Sequence, residues 1–438
     1  LAGSGSSLQI SGGRVGVSSN SVLGQAIFSG AATTTITVDG GIINAYRDAI
    51  YLGGDNATVK VNGGEIRTDG DAVGTGIYIA AGADNAKVGV KGGKIYSLGN
   101  EQNHAICSDG ADSELEISGG LLTTAGTYGT VYMRGTSPSI SVSDKAQIEN
   151  TGSGDAIWGN GLVVSVKGGS VSAQEGFGIR ALDVTVSGGK VTAYGGEACL
   201  AALSAEVTGG SVQALGTGHA ISVQSLEVKG GTVSAKSGFA ADMAMAGSFK
   251  ASGGFVFAYG KSSEIVGNVI KMDSGAPTLS GQAVLCVWDS PGGKPVFTEG
   301  TSTNLFVNAG ASARWGLKDG QPGIHYQRGS NQGFFVIGGV TIIEAPATTT
   351  PTSPETSSSS PESSLTSQES MMTTLTETSP SQTSSMTEEE TQAGNGISDD
   401  EKTGGFNRLW LLPIALVIIA IALGLTYFIV RRKGHEKL

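Results

Sequence analysis

A short sequence motif close to V-x-G-G-x-V recurs from Leu8 to about Gly267 and constrains the fold more than any other feature of the chain. One degenerate copy, ISVSDKAQI, has Asp144 and Lys145 where the other copies have two glycines. The first glycines are Gly12, Gly40, Gly63, Gly92, Gly119, Gly168, Gly188, Gly209, Gly230 and Gly253. With Asp144 included, successive copies are 28, 23, 29, 27, 25, 24, 20, 21, 21 and 23 residues apart. This period, in segments without helical stretches, indicates a β-solenoid.

A second segment recurs once per repeat and centres on one aliphatic residue, as in DAIYLG and DAIWGN. These residues are Ile27, Ile50, Ile77, Ile106, Val131, Ile157, Ile179, Leu200 and Ile221. One strand before the glycine pair, one after it and this third strand make a three-sided turn, and parallel pairing stacks the turns at about 4.8 Å. The glycines are expected at a corner that needs positive φ and close backbone approach. The sequence therefore predicts an all-β parallel β-helix of about eleven turns over residues 1–267, with Val191, Val212 and Val233 inside.

The remainder of the chain divides into four segments. Residues 268–346 alternate apolar runs with Gly-rich turns, which predicts a small antiparallel β cap over the open edge of the last turn. Residues 347–405 are rich in Ser, Thr and Pro, which is typical of a disordered, O-glycosylated stalk. Residues 406–430 form the predicted transmembrane helix, and residues 431–438 form a basic tail.

The apolar run from Leu409 to Val430 carries the membrane prediction. At about 1.5 Å per residue it is long enough for the roughly 30 Å hydrocarbon core. Arg431, Arg432 and Lys433 follow at once, so the positive-inside rule makes the tail cytoplasmic and residues 1–405 extracellular. Because an exported region needs an apolar leader and the chain begins with Leu1, we expect a signal peptide to be missing from this sequence.

Charge and cysteine content exclude several functional classes. The net charge is −11 and no basic field is available to hold a phosphate backbone, so a nucleic-acid partner is not expected. The three widely spaced cysteines, Cys107, Cys199 and Cys286, match neither a disulfide framework nor a zinc site.

The residue after each third-strand aliphatic is predicted to point outward. Five of the first six such residues are aromatic in a chain with only 6% aromatic residues. The candidate ligand-binding residues, here called the aromatic stripe, are Phe28, Tyr51, Tyr78, Tyr132, Trp158 and Arg180. The residues before the aliphatics are small and are expected to form a shallow floor beside the stripe: Ala26, Ala49, Gly76, Ala105, Thr130 and Ala156. Such a face suits the CH faces of sugars, while a ladder of stacked rings that only stabilises the fold is the alternative.

Three acidic residues at nearly the same offset in consecutive repeats, Asp55, Asp84 and Asp112, are candidate calcium ligands. The alternative, which we favour, is that these side chains cap backbone N–H groups of turns. No other cofactor is expected.

Catalysis has little support in the sequence. His104, Asp155 and His219 lie two residues before an aliphatic, but in separated turns. Arg134 and Asp109 are the one pair that suggests a lyase. Neither a G-x-S-x-G elbow nor an H-E-x-x-H motif occurs. No catalytic residue is predicted.

The repeated motif, in the form V-x-I-S-G-G-x-V-x-A, resembles the rungs of clostridial surface proteins with a carbohydrate-binding domain. The resemblance covers about residues 8–267 and implies a right-handed parallel β-helix. It also implies binding of acidic plant polysaccharides and cellulose, and the wider β-helix superfamily includes pectate lyases.

Together these observations predict a membrane-anchored, non-enzymatic cell-surface module that binds polysaccharide or glycan and is held in the lipid bilayer by its C-terminal helix. The alternatives are a protein-binding adhesin or structural surface protein, and a polysaccharide lyase.

Overall fold

The computed structural model describes residues 1–17, 24–69, 73–99, 101–260, 265–290 and 293–346. These residues contain a parallel β-solenoid of about eleven turns. Each turn contributes strands to three faces. Face A holds the strand before the glycine pair, face B the strand after it, and face C the third strand.

Neighbouring turns pair in parallel within each face. Several long strands between Val163 and Ala251 pass from one face to the next without a break. Face A contains Ser7–Ile10, Thr35–Val38, Thr58–Val61, Lys87–Val90, Glu114–Ile117, Ser139–Val142, parts of Val163–Ala173, Asp183–Ala193, Ala198–Val207, His219–Val228 and Ala241–Ala251, and Thr278–Leu279.

Faces B and C are built in the same way. Face B contains Arg14–Gly16, Ile42–Ala45, Glu65–Thr68, Lys94–Ser97, Leu121–Thr124, Gln147–Asn150, the ends of Val163–Ala173 and Asp183–Ala193, Ser211–Ala214, Thr232–Ala235, Phe255–Gly260 and Val284–Asp289. Face C contains Ile27–Ser29, Asp48–Leu52, Val73–Ile79, Gln102–Ser108, Val131–Met133, Ile157–Gly159, Ile179–Arg180, the starts of Ala198–Val207, His219–Val228 and Ala241–Ala251, and Ile270–Met272.

The pairing register follows the spacing of the glycine pairs. Ser7 pairs with Thr35, Thr35 with Thr58, and Thr58 with Lys87, which repeats the first three spacings read from the sequence. The predicted parallel β-helix and its number of turns are therefore confirmed. Parallel pairing continues past residue 267, because Ile270–Met272 pairs with the start of Ala241–Ala251.

The two glycines of each pair meet different steric demands. A Cβ on Gly92, the first of its pair, would lie 2.5 Å from the carbonyl oxygen of Asn62 in the turn before. The second, Gly93, has φ 80°, which a side chain with a Cβ rarely adopts. In the degenerate copy Asp144 takes the positive φ, at 49°, as the short Asp side chain allows.

The interior of the solenoid is filled by stacked aliphatic side chains. All nine third-strand aliphatics are buried, and so are Val191, Val212 and Val233, as predicted. Each buried aliphatic side chain contributes about 1.5–3 kcal/mol. Cys107, Cys199 and Cys286 are also buried and form no disulfide.

The small residues before the aliphatics do not form the predicted floor. Ala49, Ala105 and Ala156 are completely buried, and a Cβ on Gly76 would lie 2.6 Å from Cγ2 of the core residue Ile95. Two successive residues therefore point inward, which breaks the alternation of an extended strand at this position.

The residues after the last turn contribute further strands, most of them paired antiparallel. Leu305–Val307 pairs antiparallel with Val284–Asp289 of face B. A three-stranded antiparallel sheet consists of Ser312–Lys318, Gln321–Arg328 and Asn331–Val336, and Val296–Thr298 pairs in parallel with Thr341–Ile343. The Asn331 side chain donates to the Gly254 carbonyl at 2.9 Å.

The one helix in the described ranges is Ile265–Val269. Among these residues no helix is long and apolar enough to cross a membrane. The predicted stalk, transmembrane helix and tail, residues 347–438, lie outside the described residues.

Candidate functional site

The predicted aromatic stripe follows face C in strict register. The pairs are Phe28 with Tyr51, Tyr51 with Tyr78, Tyr78 with Cys107, Cys107 with Tyr132, Tyr132 with Trp158 and Trp158 with Arg180. The structure therefore places all six predicted residues in one column, interrupted once by Cys107. This alignment arises because each of them follows a buried aliphatic residue of the same strand position.

The N-terminal part of the stripe, from Phe28 to Tyr78, consists of stacked rings. The ring centroids of Phe28 and Tyr51 are 5.1 Å apart with planes at 16°, and those of Tyr51 and Tyr78 are 5.5 Å apart at 49°. Phe28 is 53% exposed, whereas Tyr51 and Tyr78 are half-buried. The stripe is thus less exposed than predicted, because each ring covers part of the next.

The C-terminal part of the stripe, from Tyr132 to Arg180, combines two aromatic rings with a guanidinium cation. Tyr132 and Trp158 stack at 4.5 Å, and the Arg180 guanidinium lies 4.3 Å from the centroid of the Trp158 ring. Arg180 also donates through Nε to Asp155 Oδ2 at 2.8 Å. Burial raises the pKa of Asp155, and the charge of Arg180 opposes this shift. Arg180 is therefore fixed by a carboxylate while its flat face covers Trp158.

Tyr128 widens the C-terminal part of the stripe and was not predicted. Its ring lies 5.9 Å from Trp158 and 6.1 Å from Tyr132. Because Tyr128 precedes its face C strand, Val131–Met133, the period of the strand residues does not reveal it.

A recess of about 310 Å³ lies where Cys107 interrupts the rings. We call it the Cys107 recess. Its lining includes Asp48, Thr75, Tyr78, His104, Tyr132 and Arg134. Cys107 itself is only 2% exposed, and burial raises the pKa of its thiol to about 12. The thiol therefore stays protonated at neutral pH and is a poor nucleophile.

His104 is an uncharged member of this lining. Its Nδ1 lies 2.6 Å from the Gly129 carbonyl oxygen, so Nδ1 carries the hydrogen and Nε2 is left as an acceptor. Burial lowers the pKa of His104 to about 4, although the hydrogen bond to Gly129 opposes the shift. The ring also lies 5.2 Å from Tyr132.

Asp48 is the most deeply placed acid of the recess. It is 3% exposed, and its Oδ2 accepts no hydrogen bond from the described residues, although Arg47 Nε lies 3.5 Å away. Burial raises the pKa of Asp48, while the Arg47 charge and a hydrogen bond from Gln25 oppose the shift. Asp48, Thr75 and His104 pair in register and form a polar column beside the stripe.

Arg134 and Asp109, the pair that suggested a lyase, form an ion pair at the edge of the recess. Arg134 Nη2 donates to Asp109 Oδ2 at 2.6 Å, and Tyr78 Oη donates to the same oxygen at 2.7 Å. The pKa of Arg134 is raised: burial lowers it, but the hydrogen bond and charge of Asp109 outweigh burial. A guanidinium held in this way is not a proton acceptor.

The other residues considered for catalysis are held in separate contacts. Asp155 binds Arg180, and His219 Nε2 lies 3.3 Å from Asp242 Oδ2. His219 Nδ1 accepts the backbone N–H of Phe239 at 3.0 Å. Both His219 nitrogens are therefore engaged, and the structure does not bring His104, Asp155 and His219 together.

The predicted calcium column is wrong in its alignment. Asp112 has φ 52° and matches Asn56 and Asn85, both at φ 56°, because each lies two residues before the aligned strand starts at Thr58, Lys87 and Glu114. Asp55 and Asp84 lie three residues before those starts, so Asp112 is displaced from them by one residue. Asp55 Oδ1 accepts the backbone N–H of Asp84 at 3.0 Å, as expected of a turn-capping carboxylate. Within the described ranges, no group of three or more His, Cys, Asp or Glu is placed to hold a metal ion.

No family model, curated protein or solved structure matches this chain in the comparisons. The side chains of face C are therefore the features of this protein that point to a function.

Proposed function

We propose that this protein is a surface-displayed module that binds a polysaccharide or glycan along the aromatic stripe of face C. The observation that carries the proposal is the in-register column from Phe28 to Arg180, in which five of the seven positions are aromatic rings. Rings spaced by the rise of one turn offer a linear polymer repeated contacts of the same kind. Many weak contacts along one chain add up to useful affinity.

The chemistry of the stripe suits sugars. Each ring has an apolar body, and Tyr51, Tyr78 and Tyr132 also carry a hydroxyl that can exchange hydrogen bonds with sugar hydroxyls. The polar column of Asp48, Thr75 and His104 adds directional contacts beside the rings. A few polar groups beside apolar rings are typical of small-ligand sites.

The proposal extends to the placement of the chain. In this account residues 290–346, which follow the last parallel strand of the solenoid, cap the right-handed β-helix. Residues 347–405 are a stalk, and residues 406–430 anchor the protein with its N-terminal region outside the cell. The apolar run from Leu409 to Val430 and the basic residues after it support this orientation. Protease added to intact cells is then expected to release a fragment that contains the solenoid. Protection of the solenoid with digestion of residues 431–438 would contradict it.

A structural or protein-binding role is the second candidate, and one observation favours it. The rings of Tyr132 and Trp158 cover each other, so each has less surface to offer a ligand. A stacked pair contributes about 0.5–1.5 kcal/mol beyond its buried area, which is sufficient reason for a structural ladder.

A glycan array probed with the full chain in detergent separates the two candidates. Binding to a defined set of glycans by the wild type, lost in a Tyr132→Ala/Trp158→Ala variant, supports the proposal. The third candidate, a lyase, is tested on pectin with and without Ca²⁺, where unsaturated products would reveal it.

A further inference from the structure

At the Cys107 recess, a ring in the interior of the stripe lacks an aromatic neighbour on one side. Stacked rings offer a ligand mainly their edges, because neighbours occupy their faces. Among the described residues, Tyr78 has an aromatic neighbour on the Tyr51 side but none on the side of Cys107. The small, 2% exposed Cys107 side chain leaves this space open.

The volume of the recess, about 310 Å³, suits a single saturated ring. Tyr78 and Tyr132 are two turns apart, which corresponds to roughly 10 Å at about 4.8 Å per turn. The His104 ring occupies the part of the recess next to Tyr132, because the two ring centroids are 5.2 Å apart. A saturated ring in the recess would contact the face of Tyr78 on the side of Cys107 and lie beside the His104 imidazole.

Two polar atoms of the recess, Asp48 Oδ2 and His104 Nε2, are acceptors that a hydroxyl donor fits. Asp48 Oδ2 is buried and accepts no hydrogen bond from the described residues, although Arg47 Nε lies 3.5 Å away, so a ligand donor would lower the cost of its burial. Neutral His104 keeps Nε2 as an acceptor because Nδ1 donates to Gly129. Sugar hydroxyls are donors that would satisfy both groups.

The charges of the recess balance. Arg134 is paired with Asp109, and Arg47 lies 3.5 Å from Asp48, so two cations face two anions. No unpaired cation remains among these four residues to attract a carboxylate or sulfate.

We propose that the Cys107 recess is a subsite for one uncharged pyranose ring of the bound glycan. The ring lies against Tyr78 on its Cys107 side, with hydroxyls donating to Asp48 and His104. This inference rests on the proposed glycan-binding function and adds the position and charge of one bound unit.

The test fills the recess and leaves the rest of the stripe in place. Cys107→Tyr fills the gap in the column of rings. Ala201→Tyr adds a ring to the same column four turns further on, beyond the recess. The probes are cellohexaose, xylohexaose and mannohexaose, with hexagalacturonate as the charged comparison, titrated into the full chain in detergent. We expect a neutral hexasaccharide to bind the wild type and the Ala201→Tyr variant equally, and Cys107→Tyr at least tenfold more weakly.

A second variant covers the case in which Cys107→Tyr fails to fold. Asp48→Asn keeps the size of the side chain but replaces one acceptor with a donor, so we expect severalfold weaker binding of the same hexasaccharide. Equal or tighter binding by Cys107→Tyr, with weaker binding by Trp158→Ala, would overturn the subsite and leave the proposed function intact. Tighter wild-type binding of hexagalacturonate than of every neutral probe would overturn the uncharged assignment. Absence of any glycan binding by the wild type would contradict the proposed function itself.

Discussion

Tyr132 and Trp158 occupy equivalent positions in consecutive turns, and their rings stack with centroids 4.5 Å apart. The rise of one turn, about 4.8 Å, is close to the distance at which aromatic rings stack. A solenoid with planar residues at this position therefore builds a continuous column without further adjustment. The same geometry serves stability and presents a repeated surface to a linear ligand.

The first prediction separates the inward and outward sides of face C. Ile157 is completely buried, while its neighbour Trp158 is half-buried and points outward. Ile157→Asp should reduce the free energy of unfolding by more than about 4 kcal/mol, because an unpaired carboxylate enters the core. Trp158→Asp should cost about 1–2 kcal/mol through lost ring stacking. Denaturant melts of both variants measure the difference, and equal losses would contradict the assignment.

The second prediction concerns the corner glycines. Gly92→Ala places a Cβ 2.5 Å from the Asn62 carbonyl and should lower the free energy of unfolding by about 1–3 kcal/mol or more. Gly12→Ala is the matched control, because a Cβ there meets nothing within 4 Å. The control should change stability by no more than about 0.5 kcal/mol. Similar melting temperatures for the two variants would show that the turns are not packed as closely as described.

The third prediction is a pH dependence that originates in His104. Its pKa is about 4 in the folded protein against an ordinary value of 6.5, so the unfolded chain binds more protons between these values. Stability should therefore fall as the pH is lowered from about 6.5 to about 4, by roughly 3 kcal/mol at about 1.36 kcal/mol per pKa unit. Urea melts across this range measure the slope.

His104→Gln is the control for that slope. The variant should lose most of the decrease between pH 6.5 and pH 4. Burial raises the pKa of Asp48 and Asp155, and their ionisation acts with the opposite sign, since a raised carboxyl pKa costs stability as the pH rises. Both acids are present in the two proteins, so the comparison isolates His104. An unchanged slope would show that its imidazole is not buried in the neutral form.

The fold could be predicted well because its main constraints are periodic. The number of residues between successive glycine pairs equals the offset between paired residues in neighbouring turns. The third strand of each turn has a buried aliphatic residue, and the residue after it points outward. Positive φ at the second glycine also follows from residue type, and Gly93 illustrates it at φ 80°. Such signals repeat in every turn, so one irregular copy such as ISVSDKAQI does not obscure them.

The recess could not be predicted because it depends on departures from that period. Ala49 points inward next to Ile50, which turns Asp48 towards the stripe. Tyr128 reaches the stripe from outside the strands, and Asp112 is displaced from Asp55 by one residue relative to the aligned strands. A shift of one residue along a strand or turn moves a side chain to the other face or to a different height, and amino-acid composition does not reveal such a shift.

The fourth prediction concerns metal dependence. Because Asp55 and Asp84 already accept backbone N–H groups and Asp112 is out of line, calcium should not stabilise this edge of the solenoid. The melting temperature of the full chain should be the same in EDTA and in millimolar Ca²⁺. Asp84→Ala should still cost about 1 kcal/mol, because the Ala111 N–H loses its partner. A rise of several degrees with Ca²⁺ that Asp84→Ala abolishes would restore the calcium site.

The most direct test of glycan binding through the stripe is a dissociation constant measured on matched ring variants. The ligand is the glycan selected by the array, and the variants are Tyr132→Ala, Trp158→Ala, the double variant and Tyr194→Ala. Tyr194 is the control because its ring is 50% exposed but belongs to face B, where it follows Asp183–Ala193. We expect each stripe variant to bind roughly fivefold more weakly, as a loss of about 1 kcal/mol implies. The double variant should bind more weakly still, and Tyr194→Ala should bind as the wild type does. Equal affinity in all variants, or no binding by the wild type, would contradict the account.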